Sequence, residues 1–139
     1  MTLFETLSDA MTLAATVLSG AAGEPDEAQV ALAWLARNRR DQALGAKGWQ
    51  FGDGSLAEAC RSIARENGKR TGGLQIGAPG ESGVACYRAL AIACQVLSGQ
   101  CGDPTGGAVL LHRHDEQPAW AAGRQPVALL GSHFFYRLD

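Results

Sequence analysis

The chain has 139 residues, 46% of them hydrophobic, with 12 Lys and Arg against 14 Asp and Glu for a net charge of −2. That length suits a single domain over residues 1–139, and the apolar share is enough for a packed core, which excludes disorder over most of the chain. The near-even charge balance excludes a sequence-independent nucleic-acid binder. No apolar run approaches the roughly 20 residues needed to cross a bilayer, so no membrane insertion is expected.

Residues 3–19 place Leu3, Leu7, Ala10, Met11, Ala14, Val17 and Leu18 at three- and four-residue steps, the period of an amphipathic helix. Ser19-Gly20 is read as its end. Glu24-Pro25-Asp26-Glu27 opens a second helix, since proline suits a first turn and acids match the positive end of the dipole. That helix is expected to reach about Arg40, burying Val30, Ala31, Trp34 and Leu35. Residues 41–54 read as a glycine-rich connection. Ser55-Leu56-Ala57-Glu58 is a capping box, which starts a third helix ending near Asn67-Gly68. Residues 68–82 read as a long surface loop. Ser82 is expected to cap a fourth helix with Val84, Tyr87, Leu90, Ala91, Cys94 and Leu97 on one face and Gly99 past its end. Then the period changes. Val109–His114, Val127–Leu130 and Phe134–Leu138 read as short strands.

Helices first and strands later predict an α+β domain, about four helices followed by a short antiparallel sheet. Cys60, Cys86, Cys94 and Cys101 contain no C-x-x-C pair, which disfavours structural zinc. They read as buried free thiols. Cys94–Cys101, or Cys60 with either, are the bridges that spacing leaves open; Cys86 and Cys94 lie along one helix face and cannot bridge each other.

The most specific string is Asp103-Pro104-Thr105-Gly106-Gly107-Ala108, a turn in which Asp-Pro starts the reversal and the glycines allow positive φ. His112-x-His114, Pro118-x-Trp120-Ala121 and Leu130-Gly131-Ser132-His133-Phe134-Phe135-Tyr136-Arg137 follow it. Gly23-Glu24-Pro25, Gln29–Ala33, Asn38-Arg39, Ser55–Cys60 and Ala93–Gly99 precede it. This ordered set resembles the SleB-type, or spore-cortex-lytic, cell-wall hydrolase family in its proteobacterial and phage version. The resemblance covers about residues 9–138. It implies a small lysozyme-like fold and cleavage of the glycan strand of peptidoglycan, often as a lytic transglycosylase. Two departures matter. The family's Q-F-S after the cysteine has no clean counterpart, since Gln50-Phe51 lies before Ser55–Cys60 and Leu74-Gln75-Ile76 is a poor match. The family's E-A-R-G-E reads here as Gly20-Ala21-Ala22-Gly23-Glu24, so the leading acid, which the resemblance implies is the catalyst, is a glycine.

Cleaving a glycosidic bond needs a general acid on the leaving oxygen, and a lytic transglycosylase works with one carboxylate because the muramic 6-hydroxyl attacks internally. Glu24 is the motif carboxylate that remains and is the catalytic candidate. Its bland reading is a helix-stabilising acid, because the dipole at that position favours its anion. The resemblance makes Asn38, Arg39, His112, Trp120, His133 and Tyr136 substrate-binding candidates in one cleft between the helices and the strands. Their plain readings are a solvated helix-end arginine, hydrogen-bonded strand histidines and core aromatics. No metal or cofactor is expected, although His112, His114 and His133 as a zinc set would instead suggest an amidase. The glycine clusters lack the Lys-Ser/Thr of a phosphate cradle.

The expected partner is therefore the peptidoglycan glycan strand, with other virion or lysis proteins as further candidates. Met1-Thr2-Leu3-Phe4-Glu5 has no basic stretch before an apolar one, so no secretory signal is expected, which fits a phage or prophage protein acting on the cell wall. The alternative is a catalytically impaired module of the same fold that grips the wall or serves as a virion component. Gly20 is the residue that favours it.

Overall fold

The computed structural model describes residues 3–43, 54–71 and 83–138. Four helices come first, α1 (Leu3–Ala21), α2 (Asp26–Ala43), α3 (Leu56–Thr71) and α4 (Gly83–Ser98). Three strands follow, β1 (Leu110–Arg113), β2 (Ala128–Leu130) and β3 (His133–Tyr136), with a 3-10 turn at Ala119–Ala121 between the first two. The sheet is antiparallel in the order β1-β3-β2. This is the α+β arrangement expected from the change of period. The connection 44–53, the loop 72–82 and the proposed Ser82 cap lie outside the described residues.

Like α2, helix α1 packs against each of the other three. Its buried side is Leu13, Ala14, Val17, Leu18 and Ala21, which meets Ala31, Leu32, Leu35, Ile63, Ile92 and Val96 in one core. The helix continues through Gly20 and stops where Gly23 turns left-handed at φ 81°, with the Glu24 amide donating to the Ala21 carbonyl. A glycine inside a helix costs about 1 kcal/mol but does not forbid it. The same holds for α3, which runs past Asn67-Gly68 to Thr71. Its start is as expected, the Ser55 hydroxyl accepting from the Glu58 amide at 3.2 Å.

Helix α4 is rotated from its expected orientation, and of the expected face Leu97 alone packs against the core. Its buried residues are Ala89, Ile92, Ala93 and Val96, while Val84, Tyr87, Leu90 and Cys94 are exposed, Tyr87 by 78%. Both sides are apolar, so hydrophobicity alone does not choose between them. Close approach does. The inward residues of α2 and α4 are largely alanines, which let the helix axes come together where tyrosine could not.

All four thiols are free, but only Cys60 is buried; Cys94 is exposed and Cys86 and Cys101 are half-buried. Burial pushes the Cys60 thiol up to about 11; a hydrogen bond with Thr16 opposes this and the charge of Asp9 adds to it. The unfolded chain ionises this thiol near 9, so the folded state gives up stability as pH climbs from about 9 towards 11. Alkaline unfolding should therefore lose as much as about 2–3 kcal/mol over that window in the wild type. Cys60→Ala should flatten that slope, as read from urea titrations at successive pH values.

The sheet is fastened to the bundle by two adjacent residues of α2. Asn38 Nδ2 donates to Asp103 Oδ2 at 2.9 Å and to the Ala108 carbonyl at 3.1 Å. Arg39 is 1% exposed; its Nε donates to the Val109 carbonyl at 2.7 Å and its terminal nitrogens reach Ser62 and Glu66. Asp103 also organises its own turn, accepting from the Thr105 amide and hydroxyl and from the Gly107 amide, each at 2.8 Å. The Gly106-Gly107 pair has φ of 63° and 113°, as the turn reading requires.

Candidate functional site

Directly opposed residues on neighbouring strands point to the same side of a sheet. The register Leu111↔Phe135, Ala128↔Phe135 and Leu130↔His133 therefore defines one face. Phe135, Leu111, Ala128 and Leu130 pack on the helical core, so this face looks toward the helices. The register Leu110↔Tyr136, His112↔Phe134 and Leu129↔Phe134 defines the outer face. The candidates expected in one cleft are thus divided between two sides.

On the helix-facing side, Glu24 and His133 meet. Glu24 Oε1 stands 3.6 Å from His133 Nδ1, with side chains 16% and 7% exposed. Glu24 occupies the bend between α1 and α2, and two neighbours fix it there. The buried Gln29 donates from Nε2 to the Glu24 carbonyl at 3.0 Å, closing the bend. Gly131, in the β2–β3 turn at φ 58°, offers a bare Cα on which the carboxylate rests. A Cβ at that glycine would come within 2.8 Å of Glu24 Oε2 and 3.1 Å of the Ala28 methyl. Gly20 lies one turn away, inside the last turn of α1.

On the outer side, His112, Trp120 and Tyr136 form one aromatic cluster with Phe134 (centroid separations 5.2–5.6 Å). His112 Nδ1 lies 2.7 Å from the Arg113 carbonyl and Nε2 lies 2.8 Å from the Tyr136 hydroxyl. A carbonyl only accepts, so Nδ1 carries a proton and donates a hydrogen bond to Arg113, while Nε2 is hydrogen-bonded to the Tyr136 hydroxyl. Both ring nitrogens are thereby committed. Pro118 and the 3-10 turn bring Trp120 over this pair, leaving it 36% exposed, and the Arg124 side chain donates to the Trp120 carbonyl at 2.9 Å.

Asn38 and Arg39 belong to neither side's surface, since both point inwards to hold the approach to β1. The arginine is enclosed, so no solvent-borne ligand reaches it in this conformation. The three histidines do not converge, because His133 faces the helices while His112 faces outwards. No group of three metal-ligating side chains lies together among the described residues. No helix among them is long and apolar enough to cross a membrane.

Two residues that position the site were not singled out from the sequence. Gly131 and Gln29 entered only as letters of a motif, and their spacing carries no sign of a carboxylate seat. Outside that site, Glu116 lines two cavities beside His112, yet within Arg113-His114-Asp115-Glu116 it reads as one more solvated charge.

No protein-family model matches the chain, and no curated protein matches it. Two solved structures do. The catalytic domain of the Bacillus cereus SleB protein superposes with a TM-score of 0.62 at 21% identity, over 91% of this chain and 88% of that one. The catalytic domain of the germination-specific lytic transglycosylase SleB from Bacillus anthracis gives a TM-score of 0.62 at 22% identity, over 91% and 92%. The chain has the fold of these catalytic domains, four helices followed by a three-stranded antiparallel sheet.

Proposed function

We propose that this domain cleaves peptidoglycan glycan strands as a lytic transglycosylase, with Glu24 as the proton-transferring residue and His133 positioning it. The observation that carries the reading is the Glu24 carboxylate held between α2 and the β2–β3 turn, 3.6 Å from His133 and partly open to solvent. The likeness in fold to two SleB catalytic domains supports the choice of substrate.

In the first half of the reaction, protonated Glu24 gives its proton to the glycosidic O4 as the C1–O4 bond breaks. In the second, the 6-hydroxyl of the same muramic residue bonds to C1 and its proton returns to Glu24. The product is a 1,6-anhydro sugar, one carboxyl serves as acid and then base, and no water is consumed. His133 sits at hydrogen-bonding range plus a small gap, so a slight closure lets it share the Glu24 proton.

Gly20 supports a second reading, a domain of this fold that grips glycan without cutting it. Incubation with purified sacculi separates the two: anhydromuropeptides in the supernatant support the enzyme, and sedimentation with sacculi that releases no product supports the module. The glycine seat gives an independent check. Gly131→Ala places a methyl where the carboxylate rests, in a backbone region that costs alanine about 1–2 kcal/mol. Glu24 is the flexible partner and swings aside. Product release should fall at least roughly tenfold while the melting temperature drops by only a few degrees.

A further inference from the structure

A cavity of about 390 Å³ opens where the first half of α1 meets the ends of α2 and α4. It falls within the roughly 300–1,000 Å³ typical of small-molecule sites, and Asp9, Ala10, Arg40, Cys94, Leu97 and Ser98 line it. Asp9 is twelve residues from Ala21, where α1 gives way to the Glu24 bend, or about 18 Å along the helix axis. The cavity is therefore separate from the Glu24–His133 pair. We propose that it is a second ligand site, which takes a primary ammonium group carried on a short apolar body.

Asp9 gives the cavity its character. It is half-buried, and among the described residues its carboxylate has no hydrogen-bond or ion-pair partner. The cations at this end of α2 are engaged elsewhere. Arg40 gives Nε and Nη2 to Asp41 Oδ1 at 3.1 and 3.0 Å. Arg37, outside the lining, bonds the Val96 carbonyl at 2.7 Å and lies over the Trp34 ring at 4.6 Å. A carboxylate drawn partly out of water gains most from a charged donor, and an ammonium has three hydrogens to share. Ser98 offers an acceptor for another of them: its hydroxyl donates to the Gln95 carbonyl at 3.2 Å, which leaves its lone pairs open. Leu97 and Ser98 also stand in the last turn of α4, at the negative end of its dipole, and that turn holds no basic residue.

The remaining wall is apolar. Ala10 is buried, Leu97 packs on the core, and Cys94 adds a soft thiol. A ring or short alkyl chain displaces water from this wall while its ammonium turns to Asp9. An anion of the same shape meets the Asp9 charge and the dipole instead.

The test sets phenethylammonium against phenethyl alcohol and phenylacetate at neutral pH, three probes of similar shape and different charge. Amide spectra of the full chain follow Thr6, Asp9, Ala10 and residues 97–100. Mass spectrometry after brief iodoacetamide treatment reads how far each probe shields Cys94. Saturable shifts with millimolar amine are expected, with the alcohol about tenfold weaker and phenylacetate without effect. Asp9→Asn should weaken the amine about tenfold and leave the alcohol unchanged. Alkylation of Cys94 should slow severalfold under saturating amine, while Cys101, outside the lining, keeps its rate. No saturable shift, equal affinity for all three probes, tighter binding of phenylacetate, or saturation that leaves Cys94 unshielded would each overturn the proposal. So would full amine affinity in a folded Asp9→Asn protein. Should that variant lose its helical circular dichroism, the probe ranking and the Cys94 shielding decide on wild-type protein. Neither readout involves glycan cleavage, so failure here leaves the proposed function standing, and the reverse also holds.

Discussion

Glu24→Gln should abolish the release of anhydromuropeptides from sacculi, lowering the rate by roughly 10²–10⁴-fold. The size of the loss follows from the number of groups available. Among the described residues, Glu24 is the carboxylate seated at the turn of β2 and β3, and nothing else named on the helix-facing side of the sheet can both give and retrieve a proton except its neighbour His133. Glutamine keeps the volume and the contact with Gly131 but cannot donate an acid proton. The stability change should be small. An acid near the first turn of a helix contributes about 0.3–1 kcal/mol, which corresponds to at most a few degrees in melting temperature.

Two results would separate Glu24 from the chemistry. Wild-type protein that sediments with sacculi and yields no product would make the domain a gripping module, in keeping with Gly20. Glu24→Gln protein that digests as fast as wild type would move the acid elsewhere, with Glu116 the next carboxylate to replace. His133→Gln gives a graded control. A positioning residue lowers the rate less than the acid itself and shifts the pH dependence of cleavage, whereas a merely structural histidine would leave the pH profile in place.

The order of elements was legible because it rests on local rules. The Ser55 cap, the acids Asp26 and Glu27 in the first turn of α2, and the alternating strands after Gly102 each act within a few residues. What escaped was set by distance or by absence. Arg39 and Val109 are 70 positions apart, and an arginine near a helix end looks locally like a cation facing the dipole. The α4 face was undecidable from hydrophobicity because both sides are apolar, and close alanine packing settled it. Gly131 matters for the side chain it lacks. The division of the candidates between two faces follows from a register, Leu130↔His133 beside Leu110↔Tyr136, that fixes which residues share a side only once the strands are paired.

Arg39→Ala should cost about 3 kcal/mol and lower the melting temperature by roughly 6–12 °C, the largest stability loss expected from any polar side chain here. The argument turns on what is left behind. Removing the guanidinium strands the Val109 carbonyl, which accepts its Nε hydrogen bond at 2.7 Å, and takes a donor from Ser62. Glu66 suffers less. Its side chain is 43% exposed, so water replaces much of the lost pair, and a double-mutant cycle between Arg39 and Glu66 should return only about 1 kcal/mol of coupling. Arg39→Lys should recover less than half of the loss, because one ammonium cannot serve Val109 and Glu66 together as the planar fork does. Val109 also donates its amide to the Tyr136 carbonyl at 2.9 Å, so loosening it loosens the β1–β3 pairing that holds His112 against Tyr136. Thermal unfolding followed by circular dichroism measures the first effect. A loss below 1 kcal/mol would mean that the buried arginine is satisfied as well by water as by the strand, and that β1 is held in place by the sheet alone.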